Sequence, residues 1–132
     1  MGLVTCTYSI TGKRLSCKWR CGSKSYYAES GDNILEHQNV QYDPTKGILY
    51  GGPIPVGNWK IYSLGTHHPQ TCRVHANWAP LMPMPGTKTF GRWGFYIHGK
   101  GVTTGCIMIP GDWSDFRDAL NREKGGELTV TP

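Results

Sequence analysis

Apolar and polar residues alternate in steps of two along most of this chain, and in one place recur in steps of three and four. Thr5-Cys6-Thr7-Tyr8-Ser9-Ile10 alternates and is β-branched, which predicts a strand. Thr11-Gly12-Lys13 reads as a turn, and Leu15-Ser16-Cys17-Lys18-Trp19 alternates again, so the two segments form a hairpin. Ser25 to Ala28 is a candidate third strand. Residues 29 to 46 are polar and carry Gly31-Asp32-Asn33 and Asp43-Pro44, the composition of a long loop. Gly51-Gly52-Pro53-Ile54-Pro55-Val56-Gly57 is a rigid turn, because proline fixes φ and glycine permits close approach. Trp59 to Leu64 alternates as a strand, residues 65 to 70 form a loop, and Cys72 to Trp78 reads as a further strand. Residues 79 to 86 hold three prolines and are expected to form neither helix nor central strand. Gly94 to His98 and Cys106 to Ile109 are short apolar runs that suit buried strands. Only one segment has helical spacing: Trp113, Phe116, Ala119 and Leu120 share a face, with Asp112 or Ser114 as cap and Gly125-Gly126 as stop. Leu128 to Val130 supplies a last strand. The expectation is one mainly-β domain over residues 1–132 with a single short C-terminal helix.

Composition adjusts this picture little. The 18 glycines and 9 prolines make up about a fifth of the chain, below the disordered range, and their spread suits many short strands. The net charge of +5 fits an anionic polymer as partner. Its scattered lysines and arginines, without interleaved aromatics, argue against nucleic acid. No run of 18 apolar residues exists, so stable membrane insertion is not expected. Met1-Gly2-Leu3-Val4-Thr5 lacks the charged and apolar regions of a secretory signal peptide. Cys6 stands where a myristoylation motif needs Ser or Thr.

The five cysteines are Cys6, Cys17, Cys21, Cys72 and Cys106. Four of them allow three pairings into two disulfides, with Cys106 as the thiol left free. Disulfides require an oxidising compartment. Two other readings stay open: a zinc site from Cys17, Cys21, Cys72 and His75, and reduced, buried, inert thiols.

The chemistry concentrates near the C-terminus. His98 precedes Cys106 by eight positions, each at the end or start of an apolar run. Two strands joined by a short glycine-bearing loop bring an imidazole beside a thiol. A free cysteine titrates near ~8.5 and needs such a neighbour to act as a nucleophile at neutral pH. His67 and His68 are expected in a neighbouring loop. Tyr42, Trp59, Trp78 and Trp93 are expected in the core or at the rim of the cleft.

Two stretches carry a family resemblance. Gly52-Pro53-Ile54-Pro55-x-Gly57-x-Trp59-x-Ile61 resembles the proline-turn segment of the L,D-transpeptidase catalytic-domain superfamily. Gly91-Arg92-x-Gly94-Phe95-x-Ile97-His98-Gly99, followed by Thr103-x-Gly105-Cys106-Ile107, resembles that superfamily's H-G…[S/T]-x-G-C-I signature. The short gap between His98 and Cys106 is most similar to its small branch of bacterial type VI secretion effectors. The resemblance runs over residues 52 to 130 and implies an L,D-transpeptidase-like β-sandwich. It further implies a cysteine L,D-carboxypeptidase or L,D-transpeptidase acting on peptidoglycan stem peptides, without metal or cofactor. Cys106 is then the nucleophile, His98 the base, Thr103 a hydrogen-bonding neighbour, and the backbone at Gly105 and Cys106 the oxyanion donor. Gly99 and Thr104 fall on the substrate side. Where many members carry an arginine soon after the cysteine, this chain has Met108, which moves the carboxylate-binding expectation to Arg92 or Arg73. The branch also implies export from a producer without a signal peptide through a delivery component. Action in the periplasm of a target bacterium and a cognate immunity protein follow from the same resemblance. The alternative is a non-catalytic, disulfide- or zinc-stapled β module that binds cell wall or a protein.

Overall fold

The computed structural model describes residues 4–132. The expectations for Met1-Gly2-Leu3 lie outside them. The first two strands, β1 (Val4–Ser9) and β2 (Arg14–Trp19), form the expected hairpin, and β3 (Gly22–Tyr27) extends it. Val4, Cys6 and Tyr8 of β1 are buried while Thr5 and Thr7 are exposed, so the period of two in the sequence is the period of burial. The polar stretch after β3 carries a two-residue strand, β4 (Glu29–Ser30), and two short 3-10 turns, Leu35–His37 and Pro44–Lys46. Then come β5 (Gly57–Ile61), β6 (Ala79–Pro83), β7 (Phe95–His98), β8 (Ile107–Met108), the helix α1 (Ser114–Glu123) and β9 (Gly126–Thr131). One continuous ladder runs β3-β2-β1-β9-β5-β6-β7-β8-β4. The protein is mainly β with one helix, as its alternation indicates. Among the described residues no helix is long and apolar enough to cross a membrane.

Two sequence expectations fail. Cys72 to Trp78 is a loop, not a strand; its backbone hydrogen-bonds to His68 rather than to a ladder. The proline-rich 79–86 region instead supplies β6, a central strand. Its partners are staggered: Lys60 and Ile61 of β5 pair with Met82 and Leu81, whereas Tyr96 and Phe95 of β7 pair with Pro80 and Leu81. Pro80 faces β5 just past the end of that strand, where its carbonyl accepts from Tyr62 N–H at 2.9 Å. Pro83 faces the β7 side beyond the last β7 pair. The missing N–H of Pro83 thus opposes no β7 ladder acceptor, and Pro80 forgoes only the return bond to Tyr62 at the end of β5, so the usual exclusion of proline from sheet interiors is relaxed here.

The helix covers the hairpin end of the sheet. Phe116, Ala119 and Leu120 are buried on one face, and Phe116 packs against Trp19, Tyr26 and Trp113. Lys124 closes α1 in the left-handed region, its N–H bonded to the Leu120 carbonyl. The strand β7 is buried at all four residues. Phe95 and Ile97 therefore face the core, while Tyr96 and His98 face a cleft on the other side.

Candidate active site

The cleft has a volume of ≈ 850 Å³, and His98, Cys106, Thr104, Arg92 and Arg73 all line it. Its floor is set by the parallel pairing of β7 with β8, in which Ile97 faces Ile107 and His98 faces Met108. Extended by one residue, this register puts Cys106 beside Tyr96 and on the same face as His98. The two Cα atoms are one diagonal step apart, about 8 Å for adjacent strands. The imidazole and the thiol thus share a cleft without a direct hydrogen bond. The thiol instead points to the Gly94 carbonyl at 4.0 Å.

His98 is held in one tautomer. Its Nδ1 lies 2.8 Å from the Gly99 carbonyl, which can only accept, so Nδ1 carries the proton and Nε2 keeps its lone pair. The ring stacks on Trp78 at 4.7 Å between centroids, and Trp78 stacks on His75 at 4.2 Å on its other face. Tyr96 closes the group edge-on to Trp78 and His75. Burial pushes the His98 pKa down against the pull of the Gly99 carbonyl, and His75 adds to the fall. At neutral pH the ring is uncharged and basic at Nε2. Gly99 thus orients the histidine and lines an adjoining cavity rather than the main cleft.

Cys106 departs from expectation in its protonation. Burial raises its thiol to about 11, offset in part by the Tyr96 N–H and by the Arg92 charge. The resting site holds a neutral thiol and a neutral imidazole, not a preformed thiolate.

Thr103 knots the loop before Cys106. Its hydroxyl donates to the Cys106 carbonyl and accepts from the Gly105 N–H at 3.3 Å and the Gly31 N–H at 3.2 Å. The Gly105 N–H is therefore engaged within the loop, while the Cys106 N–H donates to no acceptor among the described residues. Gly105 has φ +142°, and a Cβ there would lie 2.5 Å from Arg92 Nη2, so only glycine fits. Thr104 lines the cleft, and its carbonyl packs so closely on Gly51 that a Cβ there would lie 2.3 Å from it.

Arg92 is a correction. The expected carboxylate fork is already occupied, because Nη1 donates to the carbonyls of Gln38 at 2.6 Å and Pro53 at 2.8 Å. Nη2 donates to the Gly52 carbonyl at 2.9 Å, and Nε to Gln41 Oε1 at 3.3 Å. Only 4% of the residue is exposed. Its charge clasps the proline turn beneath Gly105 and lowers the thiol pKa, while desolvation brings its own pKa down to about 10. Arg73, the other arginine expected to meet a carboxylate, is exposed on the cleft wall, with no acceptor for its guanidinium among the described residues.

Several site residues escaped sequence reasoning. Ser30 is fully buried, and its hydroxyl joins the Gly105 carbonyl at 2.9 Å to the Ile54 N–H at 2.8 Å. Gln38 presents its carbonyl to Arg92 and its side chain to the Val56 N–H. Nothing local marks either residue. Trp78, expected as core or rim, is the platform on which the His98 ring stacks. His68 is buried, accepting from Gln70 N–H on Nδ1 and facing the Phe95 carbonyl with Nε2, so it supports β7 from behind. The zinc reading finds no site, since no three His, Cys, Asp or Glu gather to hold a metal among the described residues. Cys17 is buried on β2, Cys21 is exposed in the β2–β3 turn, and Cys72 is exposed in a loop beyond β5.

No family model matches the sequence, and no curated protein matches it significantly. The solved structures it resembles define a class: the fold is L,D-transpeptidase-like. One is an L,D-transpeptidase from Mycobacterium tuberculosis H37Rv, with TM-score 0.54 and 13% identity, covering 98% of this chain and 58% of that one. Another is L,D-transpeptidase 3 from the same bacterium, with TM-score 0.52 and 13% identity, covering 98% of this chain and 61% of that one. A second structure of that protein, in complex with a faropenem-derived adduct, aligns with TM-score 0.52 over 98% of this chain and 60% of that one. The chain spans about three fifths of the length of these structures.

Proposed function

We propose that this protein is a cysteine acyl-transfer enzyme that removes or exchanges the terminal D-amino acid of peptidoglycan stem peptides. The observation that carries the reading is a cleft holding a tautomer-fixed neutral His98, a thiol on the same face, and cationic walls. Arg73 and Arg92 line that cleft, and among the described residues no Asp or Glu does. Such walls suit a ligand that ends in a carboxylate. The L,D-transpeptidase-like fold points the same way.

In the mechanism, substrate binding and rotation of the Cys106 side chain bring Sγ within reach of His98 Nε2. The imidazole takes the thiol proton as Sγ attacks the carbonyl on the L-centre of the penultimate residue. A base with a depressed pKa and a thiol that rests protonated make this a general-base step, in which the proton leaves as the bond to carbon forms. The Cys106 N–H, free of protein acceptors, meets the oxyanion. Imidazolium then gives its proton to the leaving D-amino-acid amine, and a thioester remains on Cys106. Water resolves the thioester in carboxypeptidase action; an amine from another stem or a free D-amino acid resolves it in transpeptidation or exchange. Arg73 receives the terminal carboxylate, and Arg92 keeps the nucleophile loop in place.

As the biological setting we propose an antibacterial effector that leaves its producer through a secretion delivery component and works in the target periplasm. The open cleft is then the surface a cognate immunity protein blocks. Digestion of purified muropeptides tests the chemistry. Mass spectrometry is expected to show tetrapeptide stems shortened to tripeptides or carrying exchanged D-amino acids. Cys106→Ala is expected to abolish both with the fold retained. Faropenem, whose derivative is seen on L,D-transpeptidase 3, is expected to acylate wild type and not Cys106→Ala. Unchanged muropeptides in the presence of an active control enzyme refute the proposal and leave a binding module.

A further inference from the structure

We propose that Cys6 and Cys17 form a cross-strand disulfide when the chain folds in an oxidising compartment, stapling the first hairpin inside the core. The two residues are directly opposite in the antiparallel pairing of β1 with β2. The kind of pair follows from the other neighbour of β1. Ile10, just past the end of β1, donates its N–H to the carbonyl of Thr131, the last residue of β9. In a parallel ladder the bonding groups of one strand alternate sides, so Tyr8, Cys6 and Val4 also direct theirs to β9. Cys6 and Cys17 therefore form a non-hydrogen-bonded pair across β1 and β2. Such pairs bring Cα atoms to about 4.5 Å, inside the range of about 4.4–6.8 Å that a disulfide needs.

Both side chains point to the buried face, with Cys6 4% and Cys17 3% exposed, and the two thiols lie close enough to perturb each other. No other pairing of the remaining cysteines has this support. Cys21 sits in the β2–β3 turn and Cys72 in the loop between β5 and β6, with β1 and β9 between those two strand pairs in the sheet. Cys106 belongs to the cleft.

The bond forms by thiol–disulfide exchange with a small disulfide or an oxidised dithiol protein. One cysteine thiolate attacks the oxidant's S–S bond and releases one thiol from it. The second cysteine attacks the mixed disulfide and releases the other. Two protein thiols are oxidised, one oxidant disulfide is reduced, and the two protons end on the released thiols. Burial raises the Cys17 thiol pKa, and Cys6 raises it further. Exchange therefore belongs to folding, before the hairpin is covered by α1, and is slow in the finished fold.

The test refolds wild type from denaturant with either oxidised or reduced glutathione. Remaining thiols are then blocked under denaturing conditions and peptides mapped without reduction. The expected result is a Cys6–Cys17 linked peptide in the oxidised sample only, and a melting temperature roughly 5 to 10 °C above that of the reduced sample. Cys21→Ser with Cys72→Ser leaves that redox dependence in place, and Cys17→Ala removes it. Natively folded oxidised protein with Cys6 and Cys17 both alkylated, or linked to other cysteines, overturns the proposal.

Discussion

Arg92 separates two accounts of the cleft, and its replacement by leucine discriminates them. A substrate ligand, once lost, weakens binding and leaves stability near wild type. A clasp, once lost, strands its acceptors. Three backbone carbonyls, from Gln38, Gly52 and Pro53, receive guanidinium N–H groups at 2.6–2.9 Å. Each buried carbonyl left without a donor costs about 1–3 kcal/mol. Partial rehydration and the relief of no longer burying a charge reduce the sum, so a loss of about 3–5 kcal/mol is expected. For a chain of this length that corresponds to a fall in melting temperature of about 10–20 °C. Scanning calorimetry of Arg92→Leu against wild type reads the effect directly. A change within 1 kcal/mol, together with a raised KM and unchanged kcat, refutes the clasp and restores Arg92 as a carboxylate ligand.

Two further expectations concern protonation. With its thiol raised to about 11, Cys106 holds about three-hundredfold less thiolate at pH 7 than a free cysteine at ~8.5, and its greater intrinsic nucleophilicity recovers about tenfold. Iodoacetamide labelling of Cys106 is therefore expected about thirtyfold slower than that of an unstructured cysteine peptide, still climbing above pH 9; a plateau below pH 8 contradicts the neutral-pair site. Burial holds the pKa values of His68 and His98 below the ordinary histidine value. As pH falls through about 6.5 the unfolded chain binds protons that the folded one refuses, so stability is full above that value and declines towards the two folded pKa values. Melting curves from pH 7.5 down to 5 check this, and flat curves in His68→Gln with His98→Gln identify the groups; a melting temperature that rises on acidification refutes it.

Local pattern made much of the protein legible. The period of two placed the β1–β2 hairpin, the 3.6-residue spacing placed α1, and the glycine-flanked motif singled out His98 and Cys106, which share one cleft, and Thr103 and Gly105, which lie in the loop before Cys106. Pattern failed where a residue's partner is distant. Pro80 and Pro83 argued against a strand because composition cannot reveal a stagger that sets Pro83 past the end of β7 and costs Pro80 a single bond to Tyr62. Cys72 to Trp78 has strand-like composition but no strand to pair with. Ser30 and Gln38 carry no local mark; their roles exist only because the proline turn packs over them.

The chain's own order of residues determined which chemistry was present: a thiol, an imidazole, a glycine that keeps the backbone open, and the strands to carry them. Tertiary structure decided how those groups behave. Arg92 became a clasp because carbonyls 39 to 54 residues away in sequence converge on its guanidinium. Cys106 and His98 became a neutral pair because burial, which depends on everything folded around them, disfavours both charges. Residue type travels with the sequence, whereas donor occupancy and protonation are properties of neighbours that only folding brings together.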